Sequence, residues 1–489
     1  MKLRELLQGV QVLELHADPE TEITDVVCDS RKAEKDCLFV AVSGFASDGN
    51  RFIPMAMEKG AAVVVTAKAP TEPVPYVLVS SDRLALALIS ANFYGHPADH
   101  MTMIGVTGTN GKTSSTLLLK QVMEKTLGAK VGLVGTMENQ IGDLSIPTER
   151  TTPESIELQQ LFAKMRSAGC THVIMEVSSH AVVLDRIGGI HFSVAAFTNL
   201  TEDHLDFHKT MDAYCDAKAE LFHRCDRAVI NADDPYAGRM LSAAGSCPVI
   251  TTSEQGKGSL NAEDLDLQAE GISFTAAMGD RKAKVNVPIP GRFTVYNALT
   301  VLGIAESLGI PMEKAAKALA EVKGVKGRIE VVPTENMPYS VLIDYAHTPD
   351  GLQNVIRSVQ DFCKGRVITV FGCGGDRDPI KRPIMGEIGV RYSDLTVITS
   401  DNPRTEKPEA IIEDILKGVS PELGEYQVIC DRRQAIRYAM DIAKKDDIII
   451  LAGKGHETYQ EIQGVKHHLD EREEVAAHLQ ELRNMEWEN

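Results

Sequence analysis

A chain of 489 residues exceeds what one hydrophobic core ordinarily organises and predicts two to four domains. Its formal charge of −18 excludes broad nucleic-acid binding, which needs a basic surface, yet leaves room for anionic small ligands held locally by a few cations and backbone N–H groups. No apolar run approaches the roughly 18 residues of a membrane span, Met1-Lys2-Leu3-Arg4-Glu5 has no signal-like core, and the nine scattered cysteines include no CxxC pair, so a cytoplasmic chain with reduced thiols is expected.

In chain order, a first segment (1–98) mixes short strands such as Cys37-Leu38-Phe39-Val40-Ala41-Val42 with Ala-rich helical stretches. It closes at the turn-forming Tyr94-Gly95-His96-Pro97. A second segment (99–331) opens with the apolar strand Met103-Ile104-Gly105-Val106, a Gly-rich turn, and a helix-like run containing Leu117, Leu118, Val122 and Met123. Further strands at Val173-Ile174-Met175, Val194-Ala195-Ala196-Phe197 and Ala228-Val229-Ile230 predict a mostly parallel α/β sheet. The third segment (332–489) has strands at Val341-Leu342-Ile343, Val367-Ile368-Thr369-Val370-Phe371, Leu395-Thr396-Val397-Ile398 and Ile448-Ile449-Ile450-Leu451. Each runs into a polar loop: Asp344-Tyr345-Ala346-His347, Gly374-Gly375-Asp376-Arg377, Asp401-Asn402-Pro403-Arg404 and Gly453-Lys454-Gly455-His456-Glu457. Open α/β sheets bind ligands outside the carboxyl ends of their strands, so these loops predict a second ligand site in a Rossmann-like domain.

The first site is predicted by the strand, the turn Gly108-Thr109-Asn110-Gly111-Lys112-Thr113-Ser114 and the helix that follows. Glycines admit phosphates to backbone N–H groups, and the helix N-terminus adds partial positive charge. Lys112 would reach the β/γ-phosphates and Thr113 a Mg²⁺ ion. The spacing departs from Gly-x4-Gly-Lys-Thr, because position 106 is Val and the glycines are Gly105 and Gly108. Glu176, at the end of an apolar strand and followed by Ser178-Ser179-His180, is a hard oxygen ligand in position for the metal. The run Thr198 to His208 is dense in polar groups but lacks zinc-type His/Cys spacing, which favours magnesium and phosphate.

Together these motifs resemble the Mur ligase family. Gly108–Thr113, Glu176-Val177-Ser178-Ser179-His180, Thr198-Asn199-Leu200, Asp203-His204-Leu205-Asp206, Asn297 after Gly291-Arg292-Phe293, and Asp344-Tyr345-Ala346-His347 stand in the family's order across the whole chain. Folylpolyglutamate synthetase shares the ATP loop but fits the terminal motifs poorly. The resemblance implies three α/β domains: 1–98 for UDP, a P-loop-type ATPase sheet at 99–331, and a Rossmann-like amino-acid domain at 332–489. It places Ser30 at uridine, Thr151, Thr152, Ser178 and Arg186 at the muramoyl substrate, and Asn297, Arg328 and Asp344 at the nucleotide. Leu184 stands where the family often has Gln. Lys218 matches a carbamylated position; with Thr113, Glu176 and His204 it completes the implied metal set, and Lys112, Glu176, His204 and Lys218 the catalytic set. A free ammonium there would be repelled by Mg²⁺ and Lys112, whereas a carbamate is an oxygen ligand.

The implied reaction belongs to peptidoglycan precursor synthesis. ATP phosphorylates the γ-carboxylate of UDP-N-acetylmuramoyl-L-alanyl-D-glutamate, and an amine displaces phosphate from the acyl phosphate, with closure bringing the domains' groups together. Arg377, Asp401, Asn402, Pro403, Arg404, Gly453 and Glu457 match the amino-acid contacts, and Arg404 the motif associated with meso-diaminopimelate. Lysine lacks the carboxylate that a guanidinium could hold through two parallel hydrogen bonds. The expectation is therefore a cytoplasmic, monomeric ligase using ATP, Mg²⁺, the UDP-muramoyl dipeptide and meso-diaminopimelate, with L-lysine or a folate-type substrate as alternatives.

Overall fold

A computed structural model describes residues 1–44, 47–148, 150–324, 326–334 and 337–487, with the side chains of Asp206 and 484–487 outside the description. The chain forms two compact units: Met1–Asn261 with Ala277–Arg281 and Asn297–Ala318, and Ala262–Ala276 with Lys282–Tyr296 and Leu319–Asn489. The architecture is α/β, built on three principal sheets.

The first unit carries two of them. In the N-terminal sheet, strands β1 (Val12–His16), β2 (Val26–Val27), β3 (Leu38–Ala41), β4 (Val63–Thr66) and β5 (Tyr76–Val79) lie in the order β1-β5-β4-β3-β2. β2 to β5 are parallel, and β1 adds antiparallel at the edge. Every residue of β3 and β4 is buried, which explains their unbroken apolar runs. The Asp82–Tyr94 helix begins at Ser81, whose hydroxyl accepts from the Leu84 N–H, and stops at Gly95 in the left-handed region, the turn foreseen there.

The central sheet places β6 (Thr102–Thr107) in its middle. Around it run β7 (Val131–Val134), β8 (Asn139–Ile141), β9 (Leu144–Ile146), β10 (His172–Glu176), β11 (Val194–Phe197), β12 (Ala228–Asn231) and β13 (Val249–Ser253), in the order β13-β12-β11-β6-β10-β7-β8-β9. All pairs from β13 to β7 are parallel; the β7-β8-β9 meander is antiparallel. The carboxyl ends of β6, β7, β10 and β11 therefore face one side, where the first site is built. β14 (Leu260–Gln268) starts beside β13 and is followed by β15 (Gly271–Met278) and β16 (Arg281–Val287). β16 alternates exposed and buried residues, whereas β14, rich in Asp and Glu, shows no such alternation and was not predicted from the sequence.

In the second unit β17 (Glu330–Val332), β18 (Ser340–Asp344), β19 (Val367–Phe371), β20 (Leu395–Ile398), β21 (Tyr426–Val428) and β22 (Ile448–Ala452) form a sheet of order β17-β18-β22-β19-β20-β21. Only β17 is antiparallel. Alternate residues supply two cores, Leu342, Phe371, Ile398 and Ile450 to one face and Val341, Val370, Val397 and Ile449 to the other. Insertion of β22 between β18 and β19 makes the topological switch at which such sheets bind ligands. A hairpin of β23 (Tyr459–Ile462) and β24 (Val465–His468) follows. Among the described residues no helix is long and apolar enough to cross a membrane.

Candidate active site

The loop after β6 is packed from two directions. A side chain at Gly108 would overlap the Thr198 hydroxyl, and one at Gly111 would lie 2.7 Å from Asn297 Oδ1. The loop after β11 grips the same turn: Thr109 N–H donates to Asn199 O (2.9 Å), Asn110 N–H to Asn199 Oδ1 (2.9 Å), and Thr198 Oγ1 to Asn110 O (2.6 Å). Gly111 caps the Lys112–Leu127 helix, whose first turn holds Thr113 and Ser114. Ser115 Oγ donates to Asn297 Oδ1 at 3.2 Å, which puts Asn297 beside the loop. Lys112 Nζ folds back onto the Gly108 and Thr109 carbonyls, each at 2.8 Å.

Glu176, 1% exposed, ends β10 beside this loop. Its carboxylate accepts from Thr113 Oγ1 (3.1 Å), Thr136 Oγ1 (2.9 Å) and Thr136 N–H (2.9 Å). The Thr136 hydroxyl also meets Thr151 Oγ1 at 3.0 Å. Thr152 Oγ1 donates to the Glu176 carbonyl (2.9 Å) and accepts from Ser178 N–H (3.1 Å), and Arg186 donates to the Thr152 carbonyl (3.1 Å). Thr151, Thr152, Ser178 and Arg186 thus converge beside Glu176. Sequence reading missed Thr136 and Glu154, the latter paired with Arg186 at 2.7 Å. Thr136 could have been found by applying to β7 the strand-end rule used for the other strands. Ser30 sits in the loop after β2, buried, with its hydroxyl 3.4 Å from Met55 Sδ. Burial, then the Glu154 carboxylate, push the nearby Cys28 thiol up to about 11.

Lys218 is 1% exposed and donates to Gly108 O at 2.8 Å, with its nitrogen 4.4 Å from the Tyr214 ring centroid. Burial, then the Lys112 charge, push its amine well below the ordinary lysine range. Tyr214, raised to about 12 by burial, meets Thr109 Oγ1 at 3.2 Å. His204 packs edge-on to His180 at 4.8 Å between centroids and lies 6.2 Å from Tyr214. Among the described residues no three His, Cys, Asp or Glu side chains gather around one point. Thr113 and Glu176 nonetheless fit a hard cation, being adjacent oxygen donors with one carboxylate buried. Lys218 fits only as a carbamate, and a neutral buried amine is the form that adds CO₂.

The second unit holds a cavity of about 440 Å³ at the carboxyl ends of its strands. Arg377, Asp401, Asn402, Arg404, Gly453 and Glu457 line it, with Tyr345, His347 and Lys381. Arg404 donates to Gly375 O (2.7 Å) and stands 3.5 Å from Glu461 Oε2, while its backbone, at φ 50, pairs with Glu461 O (3.0 Å). Pro403 is not among the lining residues; its carbonyl packs on Gly375. Buried Arg382 braces the loops after β19 and β20 by donating to Gly374 O (3.4 Å) and pairing with Glu406 (2.8 Å), and it also pairs with Asp414 (2.9 Å) in the helix that follows. Asn402 Nδ2 donates to Glu457 Oε2 at 2.8 Å. Asp344 is buried outside the lining, accepting from Ile329 N–H and Ala346 N–H at 2.8 Å each. Burial raises its carboxyl, and the Arg328 charge partly offsets this.

Comparison with known proteins gives this arrangement its family. Residues 106–305 match the Mur ligase middle domain, 327–455 the Mur ligase glutamate ligase domain, and 22–94 the Mur ligase family catalytic domain. The chain is 46% identical over 488 residues, 99% of its length and all of the relative, to the UDP-N-acetylmuramoyl-L-alanyl-D-glutamate--2,6-diaminopimelate ligase of Clostridium tetani. It is 46% identical over 484 residues to the enzyme of the same name from Caldanaerobacter subterraneus, covering 98% and 99% of the two chains. A solved UDP-N-acetylmuramoyl-L-alanyl-D-glutamate--2,6-diaminopimelate ligase superposes with TM-score 0.77 at 30% identity, covering 99% of both chains. A MurF ligase from Thermotoga maritima in complex with ADP shares the fold at TM-score 0.57 and 18% identity, covering 95% of this chain and 99% of its own. The chain belongs to the Mur ligase family. It is an ATP-dependent ligase that forms amide bonds.

Proposed function

We propose that this enzyme joins meso-diaminopimelate to the γ-carboxylate of UDP-N-acetylmuramoyl-L-alanyl-D-glutamate, in peptidoglycan precursor synthesis. The observation that carries the reading is Arg404 facing a cavity whose lining also holds Asn402 and Glu457. A guanidinium for a distal carboxylate and a carboxylate for an ammonium suit a diamino dicarboxylic acid. Full-length likeness to relatives so named supports it.

The Gly108–Ser114 loop and Asn297 hold ATP, with Arg328 and Asp344 as further nucleotide contacts. Ser30 meets uridine, and Thr151, Thr152, Ser178 and Arg186 orient the muramoyl dipeptide. A γ-carboxylate oxygen attacks the γ-phosphorus while the bridging P–O bond to ADP breaks. Lys112 balances charge on the transferring group. Thr113 and Glu176, with His204 and carbamylated Lys218, would hold Mg²⁺, whose charge would offset that of the phosphates. The deprotonated amine of the amino acid, aligned by Arg377, Asp401, Asn402, Pro403, Arg404, Gly453 and Glu457, then attacks the acyl carbon. Phosphate leaves and the amide forms. The enzyme acts as a cytoplasmic monomer with domains at 1–98, 99–331 and 332–489.

The test is phosphate release from ATP with the UDP-muramoyl dipeptide, comparing meso-diaminopimelate with L-lysine. Turnover with diaminopimelate alone is expected. Turnover with lysine alone would overturn the specificity, and silence with both the ligase reading.

A further inference from the structure

Lys454 has no exposed surface at all, in a loop of which Gly453 and Glu457 line the proposed amino-acid cavity. Its backbone is bracketed by Gly453 at φ 115 and Gly455 at φ 54. A side chain at Gly453 would come within 2.6 Å of Asp401 Oδ2, and one at Gly455 within 2.6 Å of Tyr345 Cβ. Both neighbours are therefore pinned, and the lysine side chain goes inward. There Nζ donates to Asn402 Oδ1 (3.1 Å) and Glu457 Oε2 (3.2 Å) and lies 3.8 Å from Asp401 Oδ1. Asn402 Oδ1 also accepts from Glu461 N–H at 2.9 Å, and its Nδ2 donates back to Glu457 Oε2.

Three lining residues are thus tied to one cation that does not itself line the cavity. A fully buried ammonium needs such compensation, and here the partners are residues that line the cavity. Fixing Glu457 Oε2 from behind leaves Oε1 as the oxygen free of both tethers. We infer that Lys454 is a positioning residue that holds Asn402 and Glu457 in the geometry binding an ammonium group of the incoming amino acid. The inference rests on the amino-acid reading of the cavity given above.

The test is Lys454→Met, close in volume and without charge, in the full-length enzyme. The Michaelis constant for diaminopimelate is expected to rise about tenfold or more, with those for ATP and the UDP-muramoyl dipeptide within about twofold of wild type. In a Glu457→Gln background the same change should cost under about twofold, because the group being positioned has already been altered. An unchanged constant for the amino acid would overturn the inference. So would a parallel rise in all three constants, or losses that multiply in the double variant. If Lys454→Met does not fold, Lys454→Gln is read the same way. The comparison uses whichever amino acid the wild type turns over, so a substrate other than diaminopimelate would overturn the specificity reading and leave this test standing.

Discussion

Lys112 and Lys218 share an acceptor: each side-chain nitrogen lies 2.8 Å from the carbonyl oxygen of Gly108. Two ammonium groups on one oxygen repel strongly in a buried setting, and burial already disfavours the charged form of Lys218. Addition of CO₂ to the neutral amine would release one proton and leave a carbamate whose single negative charge is shared by two oxygens. Carbon-13 NMR of the enzyme in labelled bicarbonate should show a carbamate signal that Lys218→Ala lacks. The same substitution should lower turnover by about 10² or more, the scale of losing a charge-stabilising group. A fully active alanine variant would remove Lys218 from the mechanism.

Thr136 stands between the Glu176 carboxylate, proposed above for the metal, and Thr151, proposed for the muramoyl substrate. Its single hydroxyl proton goes to Glu176, so it accepts from Thr151, whose remaining lone pairs would accept from a donor on the proposed muramoyl dipeptide. Thr136→Val keeps the shape and the backbone N–H but loses the relay. It should reduce kcat/KM for the dipeptide about tenfold to a hundredfold, while Thr136→Ser restores it to within about threefold. Calorimetry without nucleotide should show weaker dipeptide binding by the valine variant. Wild-type binding and turnover in that variant would contradict the relay.

β6, β10, β11, β19, β20 and β22 were legible in the sequence because they are buried on both faces and read as apolar runs ending in polar loops. The loops after them therefore also stood out, and the Lys112, Glu176 and Arg404 neighbourhoods with them. β8 and β9 are too short to show a period, and β14 carries its charges on the strand itself. Thr136 and Lys454 escaped for another reason. A threonine after a four-residue strand and a lysine between glycines look solvated, and only packing makes them partners of Glu176 and Glu457.

Arg404 should govern the choice of amino acid. Its guanidinium already donates to Gly375 O and sits near Glu461, so its direction is set by the loops that Arg382 braces. Arg404→Met should lower kcat/KM for diaminopimelate by about 10² to 10⁴, the range for removing a site group built to hold a substrate's polar end. Arg404→Lys should recover little, because an ammonium cannot present two parallel donors to a carboxylate. Equal loss of turnover with ATP and dipeptide saturating and amino acid varied over a wide range would assign Arg404 to kcat instead. Retained specificity in the methionine variant would discard the role.

Stability should depend on Asp447 with a sign that follows from its partners. Burial pushes its carboxyl up, but Arg366 and the N–H groups of Arg366 and Lys444 more than offset this, leaving it below the ordinary 3.8. The carboxylate accepts from Arg366 N–H at 2.7 Å, from its guanidinium at 2.7 Å and from Lys444 N–H at 2.8 Å. A depressed acid in the folded state contributes stability above its unfolded value, and the contribution is lost as pH falls through the lower folded value. Asp447→Asn should therefore cost about 2 kcal/mol near pH 7, allowing for screening on the more exposed Arg366 side. Denaturant unfolding of both proteins at pH 7 and at successively lower pH reads the difference directly. The gap should close below pH 3.8 as the wild-type carboxylate takes up its proton. A gap that stays constant with pH would assign the loss to shape rather than to charge.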